Sequence, residues 1–438
     1  MTAPERAGVH APPRAGAQME ATDQAVRVEF LAQLGGALSA ADDPVSSTQH
    51  TLDHLATSYG LSDVEIAVLP TMILVRAREK GVLTLDLAGR GDSDLRLDQV
   101  GEVYDIVDET RRGELGAAAG LARLSDMWAT PPRFGVAVRV LGHVILALGL
   151  GLILTPRPLA LVWCAALGLL VGLLRELGQR WTALDVLLPV VAAVLVSVIV
   201  FLATEAGQIV SPLLLLIAPL ITFLPGGMLT TAMIELADRQ TIAGATRLVA
   251  GITQVVLLVF GLVVGQTLVG IHPAQAFAQR TDNLLGWWAA WLGPGVFAVG
   301  VYLHFVGPRR SLPWLLLIVY VASVGEQLGA RVLGGYLGGF VGAVVMTLVA
   351  YTADGVVAAP ASRVLFLPAF WLLVPGALAV IGLAELVGSD LNVALVDLTT
   401  AAFSIVAIAL GVLVGVALAR ALARTITLWS KRNNAEQC

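Results

Sequence analysis

The chain has 438 residues, of which 57% are apolar and only 13% charged, and its formal net charge is −5. Soluble globular proteins carry about 25% charged residues, so a wholly soluble chain is excluded, and no basic stripe of the kind that binds nucleic acid is present. Cys164 and Cys438 lie far apart, one in an apolar run and one at the terminus, which points to neither a disulfide framework nor a thiolate metal site.

Residues 1–25 are rich in Ala, Pro and Gly and lack the apolar core of a secretory signal, so they read as a disordered tail. Val26–Leu38 suits a short amphipathic helix, and residues 1–44 together form an N-terminal tail. Ser46–Tyr59 predicts a better helix: Thr48, Leu52, Leu55 and Tyr59 recur at helical spacing, and Gly60 is a natural stop. Val64–Val75 and Val82–Leu87 predict two strands joined by the charged turn Arg76–Gly81. Leu97–Arg111 is helical again. Residues 45–130 therefore predict a small α+β domain, with Pro131-Pro132 at its boundary.

From Phe134 to Trp429 the chain is nearly all apolar. A spanning helix needs roughly 20 apolar residues. Ten segments fit: 136–154, 159–174, 184–203, 209–236, 244–268, 287–305, 312–325, 333–352, 364–385 and 396–420. They fall into two membrane halves, 135–270 and 285–425, followed by a tail, 426–438. With the α+β domain in the cytoplasm, the gaps on that side hold Arg133, Arg175, Arg180, Arg239, Arg247, Arg309, Arg310 and Arg363, and the tail adds more basic residues. The other side holds only Arg157, Arg280 and Arg331. That asymmetry predicts both termini inside.

One offset, 150 residues, aligns the two halves at several places. Pro225-Gly226 matches Pro375-Gly376, and Glu235-Leu236 matches Glu385-Leu386. Gly261 and Gly265 match Gly411 and Gly415, Glu176 matches Glu326, and Phe201 matches Tyr351. Five spans is an odd number, so the second half enters the membrane from the opposite side. The fold class expected is a polytopic α-helical membrane protein whose ten spans form two five-helix inverted repeats, an architecture suited to alternating access.

The proline-glycine pairs mark the expected substrate site. A helix broken at Pro225-Gly226-Gly227 or at Pro375-Gly376 exposes backbone groups, which a membrane tolerates only inside protein or beside a cavity. The N-terminus of such a half-helix attracts an anion. Thr230 and Thr231 lie one turn on, and Gln254 sits in the next span. The alternative is a plain proline kink. Glu176, Glu235, Glu326 and Glu385 lie at or just inside span ends, where a membrane carboxyl suits proton coupling or faces interfacial water. Glu235 is the favoured carrier. His143 and Gln266 read as hydrogen-bonded helix contacts, and the spaced glycine pairs as packing. In the α+β domain, His50 and His54 lie at i and i+4 with Asp53 between, but HTLDH lacks the glutamate of a zinc protease helix and reads as a solvated face. No Walker motif or G-x-S-x-G occurs, so neither ATP-driven transport nor catalysis has support, and no metal or cofactor is implied.

Three stretches resemble the threonine/serine exporter family of bacteria: HTLDHLATSYGLSDVEIAVLPTMILV, LRLDQVGEVYDIVDETRRGEL followed by PPRFG, and FLPGGMLTTAMIELADRQTIAGATRL. The resemblance covers about residues 45–425. It implies export of threonine and serine driven by the proton motive force, from a multi-pass protein of the cell membrane. The partners are then the lipid bilayer, the amino acid and protons, with homo-oligomerisation left open. Some family members occur as two separate halves linked to succinate export, so a dicarboxylate exporter is the alternative. It would need two cationic anchors, and the spans contain no lysine. A more distant alternative is a membrane-anchored hydrolase using Ser58 and His54, for which no third group is evident.

Overall fold

The computed structural model describes residues 15–79, 81–90, 95–179, 182–277, 283–353, 362–373, 375–388 and 391–436. The chain divides into two units, one built from residues 1–94 and 103–130 and the other from 95–102 and 131–438.

The first unit contains α1 (Ala15–Ala40), α2 (Val45–Ser58), β1 (Val64–Val68), β2 (Met72–Glu79), β3 (Val82–Gly89), most of α3 (Leu97–Arg111) and α4 (Ala117–Ala129). The strands form one antiparallel sheet in the order β1-β2-β3. The sequence suggests two strands with a charged turn, but among the described residues there are three. Pro70 has no N–H to give a ladder, so the first run ends there. Leu69 and Met72 close a tight turn, with Leu69 N donating to Met72 O at 2.9 Å. Of the supposed turn Arg76–Gly81, Arg76–Glu79 is instead the second half of β2, paired residue by residue with β3. The reversal falls at Gly81, whose φ of +86° suits glycine. Ile73, Val75 and Ala77 point to the core side of β2, at most 1% exposed. Helix α1 covers that side. Its Phe30, Leu31, Leu34 and Leu38 are fully buried, and a Cβ built on Gly35 would lie 2.9 Å from Ile73 Cγ2. α1 is therefore an integral layer of this unit.

The second unit is helical. In order come α5 (Val136–Leu154), α6 (Pro158–Gly178), α7 (Thr182–Glu205), α8 (Pro212–Leu220), a 3-10 turn (Ile221–Phe223), α9 (Gly226–Ala237), α10 (Thr241–Val269) and the short α11 (Pro273–Ala276). Then follow α12 (Trp288–His304), α13 (Leu312–Leu333), α14 (Gly335–Ala353), α15 (Ser362–Leu373), α16 (Pro375–Gly388) and α17 (Leu391–Glu436). Among the described residues seven helices are long and apolar enough to cross a membrane, or eight if the bent pair α8–α9 is one span. The other two of the ten expected segments correspond to α12, of 17 residues, and α14, whose apolar part is Leu337–Ala353. Segments two and seven prove longer than the hydropathy suggests, because α6 and α13 run on through Arg175-Glu176 and Glu326-Gln327 without a break.

The surface of this unit is apolar where lipid would wet it. On α10, Val249, Ile252, Val256 and Phe260 are 49–64% exposed, while Gly251, Val255, Leu258 and Leu262 are buried. An apolar stripe of this kind is a liability in water and ordinary against acyl chains. Trp287, Trp288 and Trp291 stand exposed at the start of α12, where aromatic side chains anchor a helix at the membrane–water boundary.

Helices meet through glycine. A Cβ built on Gly261 of α10 would lie 2.6 Å from Ala193 Cβ and 3.0 Å from Val190 O of α7. One built on Gly411 of α17 would lie 2.8 Å from Ala343 Cβ and 2.5 Å from Phe340 O of α14. Gly265 meets Ser197 and Gly415 meets Thr347 in the same way. Every residue of the first contact is separated from its counterpart in the second by 150 positions. A further seam joins α5 to α12. A Cβ on Gly142 would lie 2.5 Å from His304 N, and Gly149 and Gly300 press against the backbones of Phe297 and Leu146.

These contacts leave no room for a side chain. Gly265→Leu and Gly415→Leu are each expected to destabilise the protein by about 3 kcal/mol or more, since overpacking against backbone exceeds the usual range. The drop should appear as a lower midpoint in thermal melting of the detergent-solubilised protein. Phe260→Ala, on the exposed face of the same α10, should leave the midpoint nearly unchanged.

Candidate functional site

Helices α8 and α9 are two halves of one element, bent by 65° across the break. Proline sets the break. Pro225 offers no N–H, so the α8 turn closes early, with Leu224 N donating to Ile221 O at 3.1 Å. Glycines then restart the chain as α9, and Leu229 N is the first amide to find a helical acceptor, Pro225 O at 2.9 Å. No side chain caps the start of α9, so the amides of Gly226, Gly227 and Met228 stand at its positive end.

Carbonyls freed at the break are taken up by side chains from neighbouring helices. Arg175 of α6 donates from Nη1 to Thr222 O at 3.2 Å, and its guanidinium lies 5.3 Å from the centre of the Phe223 ring. Gln254 of α10 donates from Nε2 to Phe223 O at 3.3 Å. His143 of α5 lies with Nδ1 3.0 Å from Gly168 O and Nε2 3.3 Å from Thr222 Oγ1. A carbonyl only accepts, so Nδ1 carries the proton. Nε2 is left within hydrogen-bond reach of the threonine hydroxyl. His304 of α12 stacks edge-on against His143 with ring centres 4.9 Å apart, and its Nδ1 donates to Arg139 O at 2.9 Å.

Two buried ion pairs flank the break. Arg139 of α5 grips Glu176 of α6 with two hydrogen bonds, Nε to Oε1 at 2.8 Å and Nη2 to Oε2, and the side chains are 13% and 9% exposed. Arg247 of α10 lies with Nε 3.2 Å from Glu235 Oε2 of α9, and these side chains are 9% and 0% exposed. Two of the four carboxylates expected to carry a proton, Glu176 and Glu235, therefore each lie against a guanidinium.

Of the residues expected from sequence, the break gathers Pro225, Gly226, Gly227 and Gln254. Thr230 is fully buried, but its hydroxyl donates back to Gly226 O at 2.9 Å, inside its own helix. Thr231 is half-buried on the next position. Glu326 lies half-buried on α13, and among the described residues no ion pair or hydrogen bond engages its carboxyl. Pro375 and Gly376 open α16 and Glu385 lies within it, but their side chains fall outside the described residues. Residues 364–384 run as one candidate span across that proline, without the sharp bend of the first half. Sequence reasoning missed Arg139, Thr222 and His304. The available signal was an arginine inside the first apolar segment.

In the first unit, the His50 and His54 rings lie 4.4 Å apart, while Asp53 accepts from the Gln49 amide at 3.1 and 3.2 Å. No trio of His, Cys, Asp or Glu placed to hold a metal occurs among the described residues. The Ser58 hydroxyl donates to Leu55 O at 2.8 Å and not to His54.

The threonine/serine exporter family model, ThrE, matches residues 29–269, more than half of the chain. The chain belongs to the threonine/serine exporter family. No curated protein and no solved structure matches it. The match begins inside α1 and ends at the last residue of α10, so it takes in both buried ion pairs and the whole of the break. This member of the exporter family is a multi-pass membrane transporter.

Removing one partner of a buried pair leaves the other charge stranded, at a cost of about 3–5 kcal/mol. Arg139→Gln and Glu176→Gln are each expected to lower the melting midpoint strongly, and the double variant should recover most of that loss. Additive losses in the double-mutant cycle would show that the two side chains do not act as a pair.

Proposed function

We propose that this chain exports threonine and serine from the cytoplasm across the cell membrane, driven by the inward proton gradient. In this reading ten spans form two inverted repeats of five, both termini are cytoplasmic, and the repeats alternate access to a central site. The α+β domain lies in the cytoplasm. One observation supports the repeat: the α7–α10 and α14–α17 contacts use equivalent residues. Counting the bent pair, α12 and α14 as spans brings the described helices to ten.

The observation that carries the substrate reading is the break at Pro225. There the uncapped start of α9 and the Arg175 guanidinium, docked on Thr222 O, face the same backbone turn. This is the setting for one carboxylate. Arg139 and Arg247, whose ion pairs flank the break, lie against Glu176 and Glu235. The ten expected spans contain no lysine to serve as a second cationic anchor, which favours a substrate with one carboxylate over a dicarboxylate. The Oε1 of Gln254 is the acceptor we assign to the substrate ammonium or hydroxyl.

For proton coupling the reading moves from Glu235 to Glu326. Glu235 and Glu176 each lie against an arginine. Glu326 occupies the position equivalent to Glu176 and lacks such a partner among the described residues. A lone carboxyl within a membrane is costly when charged, so it gains and loses a proton as its surroundings change from dry to wet.

Inverted vesicles with an acid interior are expected to accumulate labelled threonine and serine above vesicles lacking the protein. Absence of accumulation would sink the exporter reading, and accumulation of succinate alone would replace it with the dicarboxylate one. Glu326→Gln is expected to retain threonine exchange between equal pools while losing gradient-driven accumulation. Undiminished accumulation would remove Glu326 as the carrier.

A further inference from the structure

The sheet of the first unit has two edges, and they are built differently. β1 is five residues long, ends before Pro70, and carries Glu65, which pairs with Arg76. Gln49 of α2 also donates from Nε2 to Ile66 O at 2.9 Å. A short strand, a charge and a covering side chain all discourage further pairing. β3 is the other edge. It runs eight residues, Val82–Gly89, with no proline and no basic residue. Among the described residues no side chain hydrogen-bonds to the main chain of Val82–Ala88.

The side chains of β3 sort by face. Leu83, Leu85 and Leu87 alternate on the face turned away from α1 and are 51–59% exposed. Thr84, Asp86 and Ala88 pair with Ala77, Val75 and Ile73, so they share the α1 side. There Asp86 Oδ2 is buried without a hydrogen-bond partner. The half-buried Thr84 hydroxyl makes no hydrogen bond among the described residues. A buried carboxylate oxygen without a donor is costly, and β3 holds an idle donor two residues away.

A second copy of β3 satisfies both faces at once. In an antiparallel pair, residues directly opposite each other point to the same side of the sheet. A two-fold axis at Leu85 sets Leu85 opposite itself, Leu83 opposite Leu87, and each Thr84 opposite an Asp86. Facing Cβ atoms then lie about 5 Å apart, near enough for the threonine hydroxyl to donate to the carboxylate. An axis at Asp86 would set the two carboxylates against each other. An axis at Thr84 would set Asp86 opposite Val82, which has no donor to offer. The chemistry of the strand therefore selects the register centred on Leu85.

We propose that β3 is a homodimer interface, pairing antiparallel with β3 of a second copy about Leu85 and joining two three-stranded sheets into one. The contact lies within the first unit and does not depend on the exporter reading. Disulfide trapping in membranes tests it, using the full-length chain with Cys438→Ser, since Cys164 is buried. Leu85→Cys should cross-link with itself under mild oxidation, because facing Cα atoms lie about 4.5–5.5 Å apart and a disulfide spans about 4.4–6.8 Å. Leu83→Cys and Leu87→Cys should each cross-link poorly alone, and well when the two are co-expressed with different tags. In nanodiscs, Leu85→Lys and Thr84→Val should each weaken dimerisation by roughly tenfold. Light scattering over a dilution series reads that change, and circular dichroism confirms that both variants are folded.

A wild-type monomer at every concentration, with no cross-link at Leu85→Cys, would overturn the interface. Self-cross-linking of the three cysteine variants to the same extent would also overturn it, as the mark of random collision. So would a monomer in which a fluorophore on Leu85→Cys shifts to the blue when anionic lipid replaces neutral lipid, since the leucine row would then belong to the membrane surface.

Discussion

The structure of the membrane unit turns on one constraint: a backbone opened at Pro225 inside an apolar layer must have its carbonyls satisfied. Water is not there to do it, and an unmet carbonyl in such a place costs several kcal/mol. Arg175 and Gln254 meet the demand for Thr222 O and Phe223 O, and His143 engages the Thr222 side chain. Those side chains come from three helices, α6, α10 and α5. The break therefore locks α5, α6, α8 and α10 together, and the charges recruited to it need partners of their own. Arg139, Glu176, Glu235 and Arg247 fit that pattern, since burying a charge is tolerable only when an opposite charge is beside it.

The two halves share a scaffold and differ in chemistry. Their glycine contacts superimpose position for position, because a small residue at a helix crossing is a packing requirement independent of function. The charged positions do not follow the same rule. Glu176 is clasped by Arg139, and the equivalent Glu326 has no such partner among the described residues. The first break bends its span by 65°, and the second half carries its chain across the matching proline as one candidate span.

Much of the fold is legible from residue pattern. Apolar run length locates the spans, Gly60 ends α2 where its φ of +73° requires glycine, and Leu97–Arg111 is helical end to end. The misreadings have physical causes. Hydropathy stops a span at its first charge, but α6 continues through Arg175-Glu176, where Arg139 of α5 pairs Glu176 and Thr222 O accepts from Arg175. The strand reading joined β1 to β2 across Pro70, overlooking that a proline cannot supply a ladder donor. The stretch Arg76–Glu79 reads as a turn by its charge, yet Arg76 pairs with Glu65 on the neighbouring strand and belongs to the sheet.

By itself the sequence determined the membrane class, the break at Pro225, the family and the 150-residue register, because each is written in local composition or in spacing along the chain. Only the tertiary structure decided which acids are paired. The partners Arg139 and Glu176 are 37 residues apart, and His143 and His304 come from opposite halves. Whether a buried carboxylate is neutralised depends on which helices pack face to face. Glu176 on α6 is clasped by an arginine, the equivalent Glu326 on α13 has no such partner among the described residues, and nothing in the apolar runs themselves distinguishes them.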